Sequence, residues 1–175
     1  MYKKVTVNDL VRVDPRDFDK DLDEVVLKRL NERYSGKILK NLGLILLAAN
    51  PRNYSKGHIL HGDPGIYYRV DFDLYIFKPE LNEVVKGVIT DTAEFGAFVR
   101  IGALEGLCHI SQLGFDYFAY NPQELAFVSK ENPEVKIKVR DMVLARIVGI
   151  SLKESLKDTK IGLTMRHVGL GVIND

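Results

Sequence analysis

Two phenylalanines that flank a pair of small residues are the most informative side chains for chemistry in this sequence. Phe95 and Phe98 enclose Gly96 and Ala97. Aromatic rings stack on nucleic-acid bases of any identity, at about 1–3 kcal/mol per base, and small neighbours let a base approach the backbone. Strict alternation along a strand places the two rings on opposite faces, unless a bulge at Gly96 brings them together. Both rings could instead belong to a hydrophobic core, so contact with single-stranded nucleic acid is a prediction.

A row of basic side chains accompanies these rings. Arg100 is expected on the same strand face as Phe98, and Lys160 and Arg166 on the outward side of the last predicted strand. Cations in such a row neutralise phosphates, which supplies much of the affinity for nucleic acid. His109, which shares a strand face with Leu107 and Ser111, is also included, although a lone histidine is often only structural. The residues predicted to bind nucleic acid are Phe95, Phe98, Arg100, His109, Lys160 and Arg166.

The residues typical of catalytic and metal sites are not arranged for such chemistry. The sequence has neither the GxxxxGK[ST] motif that cradles phosphates nor a GxGxxG turn. His58, His61 and Asp63 lie close together, but an odd spacing along a strand sends the two histidines apart, and no cysteine pair accompanies them. His109 and Ser111 lack an orienting acid for nucleophilic catalysis. We therefore predict no catalytic residues, no metal site and no cofactor.

Composition places the chain among ordinary globular proteins. Of its 175 residues, 46% are hydrophobic and 28% are charged, which is enough to bury a core. A net charge of +1 means that any nucleic-acid site must be a local patch. The single cysteine, Cys108, excludes an internal disulfide and fits a reducing cytoplasm. No segment approaches the roughly 18 apolar residues of a membrane span, so a cytoplasmic protein is predicted.

The first part of the chain, residues 1–80, is predicted to combine a sheet with one helix. Residues 19–34 repeat apolar side chains at every fourth position, with acidic residues at the start and basic ones near the end, as in an amphipathic helix. From Arg69 to Ile76 polar and apolar residues alternate, which indicates a half-buried strand. Further strands are predicted over residues 2–13 and 42–49, a loop over 51–57 and a tight turn over 61–65.

The second part, residues 81–175, is predicted to form a small antiparallel barrel. From Val84 to Leu113, the segment VVKGVITDTAEFGAFVRIGALEGLCHISQL orders its strands and turns as OB barrels do. The barrel is expected to continue at residues 142–151 and to close at residues 160–166. An overlong insertion at about 114–140 is rich in tyrosine and phenylalanine, so it is expected to hold structure of its own. The predicted fold class is α+β, a sheet-and-helix domain followed by an all-β OB barrel with an insertion.

Several motifs resemble known families. The segment from Val84 to Leu113 is similar to the RNA-binding OB module that ribosomal protein S-one repeats, through Phe-Gly-Ala-Phe-Val followed by Glu-Gly-Leu-Cys-His-Ile-Ser. Over essentially its full length, the chain resembles the large stalk subunit of archaeal RNA polymerase, subunit seven or E-prime, and its eukaryotic counterparts. The motifs that carry this resemblance are the Met-Tyr-Lys start, DKDLDEVVLKRLNERYSGKI, HGDPGIYYRVDF, EFGAFVRIGALEGLCHISQL, DYFAYNP, and ARIVGISL followed by KIGLTMR.

This resemblance implies a non-catalytic subunit of DNA-directed RNA polymerase with a truncated ribonucleoprotein-like N-terminal domain. The expected docking element on the polymerase core is the turn formed by Gly62, Asp63, Pro64 and Gly65. A small helical subunit, subunit four or F, is the expected heterodimer partner. The OB face is expected to bind nascent single-stranded RNA, near the histidine of the motif, and to aid transcription initiation and processivity.

A free-standing OB-type RNA-binding or translation-associated factor is the alternative, because the same module occurs in such proteins. A factor of that kind would be expected to carry a helical, acidic second domain or repeated OB motifs. This chain has a β-rich first half and no internal repeat, which favours the polymerase subunit. The turn at residues 62–65 could likewise be a plain hairpin tip.

Overall fold

The computed structural model describes residues 1–173, which fold into two compact units. The first unit extends from Met1 to Lys78, and the second begins at Pro79. Among the described residues, no helix is long and apolar enough to cross a membrane.

The first unit is an antiparallel sheet with a single α-helix. Its elements are β1 (Tyr2–Val13), a 3-10 helix (Pro15–Asp17), α1 (Leu22–Tyr34), β2 (Ile38–Leu39), β3 (Gly43–Arg52), β4 (His58–Ile59) and β5 (Ile66–Phe77). The sheet has the order β1-β5-β3-β2, and the short β4 also pairs with β5. β1 runs antiparallel to β5 along its whole length, from Tyr2 opposite Phe77 to Val13 opposite Ile66. The predicted combination of a sheet with one helix is confirmed.

Helix α1 covers one face of this sheet and forms the first core with it. Val26 and Leu30 of the helix are buried in one cluster with strand residues such as Ile45, Phe72 and Leu74. Because full burial of a side chain of this size contributes about 1.5–3 kcal/mol, this face holds the helix in place. The apolar residues that repeat at every fourth position are therefore those through which the helix packs on the sheet.

Two element boundaries differ from the sequence prediction. The helix begins at Leu22 rather than at residue 19, because the carboxylate of Asp21 caps it by accepting a backbone N–H of the first turn at 3.1 Å. Strand β3 continues through Pro51 to Arg52, where the sequence predicts a loop. Its pairing with β5 is irregular just before Arg52, and a proline without an N–H is tolerated at such a bulge.

The opposite face of the sheet is polar, yet one of its carboxylates is buried. Alternation along β5 predicts a solvent-exposed Asp73, but only 3% of this residue is exposed. Arg52 donates to its carboxylate at 2.8 Å, Thr6 at 2.8 Å and Asn50 at 3.2 Å. These donors, the guanidinium of Arg52 above all, hold the pKa of Asp73 well below its ordinary value. Side chains thus replace the water that an exposed carboxylate would bind.

The second unit is built on a closed barrel. Its strands are β6 (Val84–Ala93), β7 (Gly96–Arg100), β8 (Glu105–His109), β9 (Phe118–Asn121), β10 (Ala126–Ser129), β11 (Lys136–Lys138), β12 (Met142–Ser151), β13 (Lys160–Thr164) and β14 (Gly171–Val172). The order β13-β8-β7-β6-β12 closes on itself because β13 also pairs with β12, and β14 adds to the edge of β12. The predicted OB-type barrel is confirmed, although its last strand ends at Thr164 rather than at Arg166.

The inside of the barrel is apolar. Val99, Cys108, Ile147 and Leu163 are all buried there, one from each of four strands. Burial raises the pKa of the Cys108 thiol to about 12, so this cysteine is a neutral part of the core. The alternation of buried and exposed residues along these strands leaves the other set of side chains on the outer face, where a ligand can reach them.

The insertion between β8 and β12 folds as a small sheet of its own, with β10 between β9 and β11. Phe127 is its buried centre, and the ring of Tyr120 packs at a centroid distance of 5.4 Å from it. Thr92 of β6 attaches this sheet to the barrel. Its hydroxyl donates to the carbonyl of Leu125 at 3.0 Å, and its carbonyl accepts the Tyr120 hydroxyl at 3.3 Å. Phe127 and Tyr120 therefore give the insertion a small core of its own, so it is not a slack loop.

Candidate nucleic-acid interface and docking turn

A groove of about 840 Å³ crosses the outer face of β7, β8 and β13. We call it the barrel groove. The side chains that matter for its chemistry are those of Phe95, Phe98, Leu107, His109, Val148, Leu156, Lys157 and Lys160. Apolar and aromatic side chains provide most of this lining, and two lysines add positive charge.

Neighbouring strands align the floor of the barrel groove. Phe98 lies directly opposite Leu107 of β8, and Leu107 lies opposite Gly162 of β13. Gly162 in turn faces Gly149 of β12. Among the described residues, no atom comes within 4 Å of the position that a Cβ at Gly149 would take. The two glycines leave bare backbone on the strands next to Leu107, so a flat ligand ring can approach closely there.

Phe95 and Phe98 both reach the barrel groove, although they are three positions apart. Phe95 lies in the turn between β6 and β7, where strand alternation does not apply, and it is 51% exposed. The two ring centroids are 6.0 Å apart at an interplanar angle of 86°. The irregular pairing of this hairpin is in β6, between Ile89 and Asp91, and not at Gly96. The turn, rather than a glycine bulge, brings the two rings together.

His109 lines the barrel groove at the end of β8 and is exposed. Its Nδ1 accepts the backbone N–H of Ser111 at 3.3 Å and lies 2.9 Å from the hydroxyl oxygen of the same residue. Because Nδ1 is an acceptor, a neutral ring carries its proton on Nε2. This leaves the Nε2–H as a hydrogen-bond donor for a ligand, on a ring whose orientation the following turn fixes.

The basic residues predicted to contact phosphates do not all lie in the barrel groove. Lys160, at the start of β13, lines it and is exposed. Arg100 and Arg166 are exposed but lie outside its lining. Arg100 is opposite Glu105, whose carboxylate lines the groove and accepts a hydrogen bond from the hydroxyl of Thr90. Lysines therefore supply the positive charge of the groove, and phosphate contact by the two arginines stays a prediction.

A short 3-10 helix over Ile110–Gln112 covers one end of β13. Alternation from Lys160 predicts an exposed Thr164, but this residue is 2% exposed because its hydroxyl donates to Oε1 of Gln112 at 2.7 Å. The carbonyl of Gln112 also accepts the backbone N–H of Met165 at 2.8 Å. These two bonds fix the part of the groove wall that Gln112 forms.

Sequence reasoning misses several residues that line the barrel groove, among them Leu107, Val148, Leu156 and Lys157. Val148 is exposed because the pairing of β12 with β13 is irregular at its position. Leu156 and Lys157 lie in the loop between these strands. In this loop Ser155 accepts the backbone N–H of Lys157 at 3.3 Å, and the Thr159 hydroxyl donates to the Ser155 carbonyl at 3.2 Å. Two hydroxyl residues four apart could have indicated this ordered turn.

The docking turn, made of Gly62, Asp63, Pro64 and Gly65, connects β4 to β5 in the first unit. Gly62 has a φ of +83°, in the left-handed region that favours glycine. Arg12 donates to the Asp63 carboxylate from Nε at 2.8 Å and from Nη2 at 2.7 Å, and the Tyr67 hydroxyl donates at 2.6 Å. These bonds, led by that from Arg12, hold the pKa of Asp63 far below its ordinary value. Asp63 is thus an internal anchor of the turn.

Arg12 extends this connection to the start of α1. Its Nη1 is hydrogen-bonded to Asp14, which also contacts Arg29 of the helix, and Arg29 lies 3.2 Å from Asp17. The docking turn is therefore attached to both the sheet and the helix by a chain of alternating charges. The residues that remain exposed around the turn include Ile59, Leu60, His61, Gly62 and Pro64.

Known domain families match consecutive parts of the chain. Residues 8–64 match the SHS2 domain found in the N terminus of Rpb7p/Rpc25p/MJ0397. Residues 78–156 match the S1 RNA binding domain. The first match lies in the sheet-and-helix unit, and the second covers most of the barrel and its insertion.

Relatives match nearly the whole chain. DNA-directed RNA polymerase subunit Rpo7 of Saccharolobus shibatae is 34% identical over 171 residues, which cover 98% of this chain and 94% of that protein. The chain belongs to the Rpo7 family. Rpo7 of Sulfolobus acidocaldarius is 30% identical over 173 residues, covering 99% of this chain and 93% of that protein. DNA-directed RNA polymerase III subunit RPC8 of Saccharomyces cerevisiae is 30% identical over 138 residues, covering 78% of this chain and 65% of that protein.

Membership of the Rpo7 family confirms the resemblance to the large archaeal stalk subunit. The protein is an accessory, non-catalytic stalk subunit of DNA-directed RNA polymerase, and its barrel is an S1 RNA-binding domain. The alternative of a free-standing factor is not favoured, because polymerase subunits match almost the full length. Within the part of the chain that the structure describes, no group of three or more His, Cys, Asp or Glu residues is placed to hold a metal ion.

Proposed function

We propose that the barrel groove binds nascent single-stranded RNA as it leaves the polymerase. The observation that carries this proposal is the open pair of Phe95 and Phe98 beside two lysines, on a barrel that matches the S1 RNA binding domain. Stacking on such rings supplies about 1–3 kcal/mol per base whatever the base, and lysines neutralise phosphates. These sequence-tolerant contacts suit an RNA whose sequence differs with every transcript.

The shape of the groove floor supports a single strand rather than a duplex. A double helix hides the faces of its bases in the stack, so the rings of Phe95 and Phe98 can contact only unpaired bases. The bare backbone at Gly162 and Gly149 gives such a base room to lie flat beside Leu107. His109 adds an Nε2–H donor at the same surface.

We propose that the docking turn is the part of the first unit that attaches the subunit to the polymerase core. The anchoring of Asp63 by Arg12 supports this role, because a preformed turn loses little conformational entropy on binding. Gly62 and Pro64 are exposed and free to contact the core. A small stalk subunit, subunit four or F, completes a heterodimer in this proposal, and the assembly aids transcription initiation and processivity in the cytoplasm.

The experiment that tests the groove compares RNA binding by the full chain and by a variant with Phe98→Ala and Lys160→Ala. Since one stacking ring and one cation are removed, we expect a filter-binding assay with unstructured RNA to show about tenfold to hundredfold weaker binding. Recovery of the small stalk subunit should not change, which reports that the variant is folded.

A control variant removes an apolar side chain and a lysine outside the groove. Val88 and Lys86 are an exposed apolar residue and an exposed lysine on β6, and neither lines the groove. The Val88→Ala, Lys86→Ala variant should bind RNA like the wild type. Equal binding by all three proteins would contradict the assignment of the groove.

A further inference from the structure

Two aromatic side chains are exposed immediately beyond the barrel groove. Phe115 is 60% exposed and Tyr117 is 74% exposed, and they flank Asp116 between the 3-10 helix and β9. A single exposed apolar residue is ordinary, but two exposed rings at alternate positions of one short segment form a surface on which flat ligands can stack. We call this segment, residues 115–117, the aromatic turn.

Hydrogen bonds to the insertion hold the aromatic turn in place. The hydroxyl of Ser129 donates to the Asp116 carboxylate at 2.8 Å, and Ser129 itself is buried. The carbonyl of Tyr117 accepts the backbone N–H of Lys130 at 2.8 Å. The two exposed rings are therefore carried by a fixed backbone, which reduces the entropy lost when they bind a ligand.

The aromatic turn begins where the wall of the barrel groove ends. Gln112 lines the groove, and because consecutive Cα atoms are about 3.8 Å apart, the Cα of Phe115 lies within about 11 Å of that of Gln112. The backbone N–H of Ile110 donates to the carbonyl of Phe95 at 2.9 Å, which joins this wall to the turn that carries the Phe95 ring. Beyond the aromatic turn, Tyr120 bonds to the end of β6 at 3.3 Å. The aromatic turn is thus close to one end of the barrel groove.

We propose that the aromatic turn is a second stacking platform for RNA bases that extend past the barrel groove. This inference rests on the proposed function of the groove. Phe115 and Tyr117 offer the ring faces, and Lys130, whose backbone N–H donates to the Tyr117 carbonyl, is an exposed cation for the RNA backbone. Rings combined with a cation, close to a groove of the same chemistry, are typical of surfaces that bind single strands.

The experiment compares two RNA lengths on the full chain. An oligouridylate of about 4 nucleotides should fill the groove alone, whereas one of about 12 nucleotides should also reach the aromatic turn, in line with the site sizes of OB barrels. For the variant Phe115→Ala with Tyr117→Ala, fluorescence anisotropy should show about five- to thirtyfold weaker binding of the longer RNA. Binding of the shorter RNA should not change.

Two control variants make this result specific to the rings. Phe115→Tyr with Tyr117→Phe keeps both rings and should bind both RNAs as the wild type does. Leu125→Ala with Val135→Ala removes exposed apolar side chains elsewhere in the insertion and should also leave both affinities unchanged.

Other outcomes would overturn the proposal. An equal loss for both RNA lengths would mean that the aromatic turn supports the groove instead of extending it, and no loss for the longer RNA would exclude the turn from the RNA path. Loss of the small stalk subunit with unchanged RNA binding would make the turn a protein-binding surface. If the groove itself does not bind RNA, the Phe98→Ala, Lys160→Ala variant will bind both RNAs normally. That result is distinct from a failure of the aromatic turn alone.

Discussion

The side chains of Arg12 and Asp63 form a bidentate ion pair that joins the edge strand β1 to the docking turn. Arg12 Nε lies 2.8 Å from one carboxylate oxygen, and Nη2 lies 2.7 Å from the other. A planar guanidinium and a carboxylate orient each other in such a pair, which a lysine cannot reproduce. The two residues are 51 positions apart, so distant sequence rather than the turn alone sets the conformation of the turn.

Replacing Arg12 by alanine should weaken binding to the polymerase core and leave the overall fold intact. Without Arg12 the Asp63 carboxylate loses two of its donors, so the turn samples other conformations before it binds. We expect faster amide exchange at Asp63 and Gly65 and lower recovery of core subunits in a pull-down. Lys20→Ala, which removes an exposed ion pair with Asp17, is the matched control.

A second variant separates docking by the turn from the role of Arg12. Exchange of Gly62–Gly65 for an unrelated turn of equal length should lower core recovery at least as much as Arg12→Ala does. Full recovery of both variants would contradict docking by the turn. A loss confined to the exchanged turn would keep the docking site and reject the role of Arg12.

Acid should destabilise the first unit partly through Asp73. Its folded-state pKa is lower than the ordinary value of about 3.9, so the unfolded chain takes up the proton first. The stabilisation is therefore complete above about pH 4 and is lost as the pH falls below that value towards the folded pKa. Asp73→Asn should lower the free energy of unfolding in urea at neutral pH, and its difference from the wild type should shrink below about pH 4. A difference that is the same at every pH would contradict an ionic contribution.

RNA binding through a lysine and RNA binding through a stacking ring should depend differently on salt concentration. For single strands the slope of log affinity against log salt changes by about 0.7 for each phosphate contact. Lys160→Ala should therefore reduce the steepness of this slope by about 0.7, whereas Phe98→Ala should weaken binding by about fivefold or more with the slope unchanged. Binding titrations over a range of salt concentrations measure both. An unchanged slope for Lys160→Ala would remove this lysine from the phosphate path.

Gly96 should tolerate no side chain. A Cβ at this position would lie 2.3 Å from the carbonyl oxygen of Cys108 on the neighbouring strand. Since overpacking costs about 1–3 kcal/mol, Gly96→Ala should lower the Tm of the second unit in a thermal melt. Gly149→Ala, where the described residues leave open space, should change stability by only about 0.5 kcal/mol or less. Equal Tm values for both variants would show that the hairpin can shift to accept the extra atom.

The sequence predicts the structure best where a single period of apolar residues extends over a whole helix or strand. The four-residue repeat of α1 and the alternation of Val70, Phe72 and Leu74 along β5 agree with the buried core. The succession of strands and turns along residues 84–113 also agrees with the barrel. In these elements, local spacing alone decides which side chains face inward.

Other features depend on contacts between distant residues, which one sequence does not reveal. Asp73 is buried because Thr6 and Arg52 reach it from other strands, and Thr164 is buried because Gln112 covers it. Phe95 shares the groove with Phe98 through a hairpin turn, where the period of the strand no longer holds. Leu156 and Lys157 enter the groove from a loop, for which no periodic pattern exists.

The most direct test of RNA binding by the stalk is to find which residues contact RNA during transcription. Nascent RNA that contains thiouridine can be photocrosslinked in elongation complexes that carry this subunit, and the crosslinked peptides identified by mass spectrometry. We predict crosslinks in the segments that contain Phe95, Phe98 and His109. Crosslinks confined to the first unit, or none in the subunit while the core polymerase is labelled, would contradict RNA binding by the barrel groove.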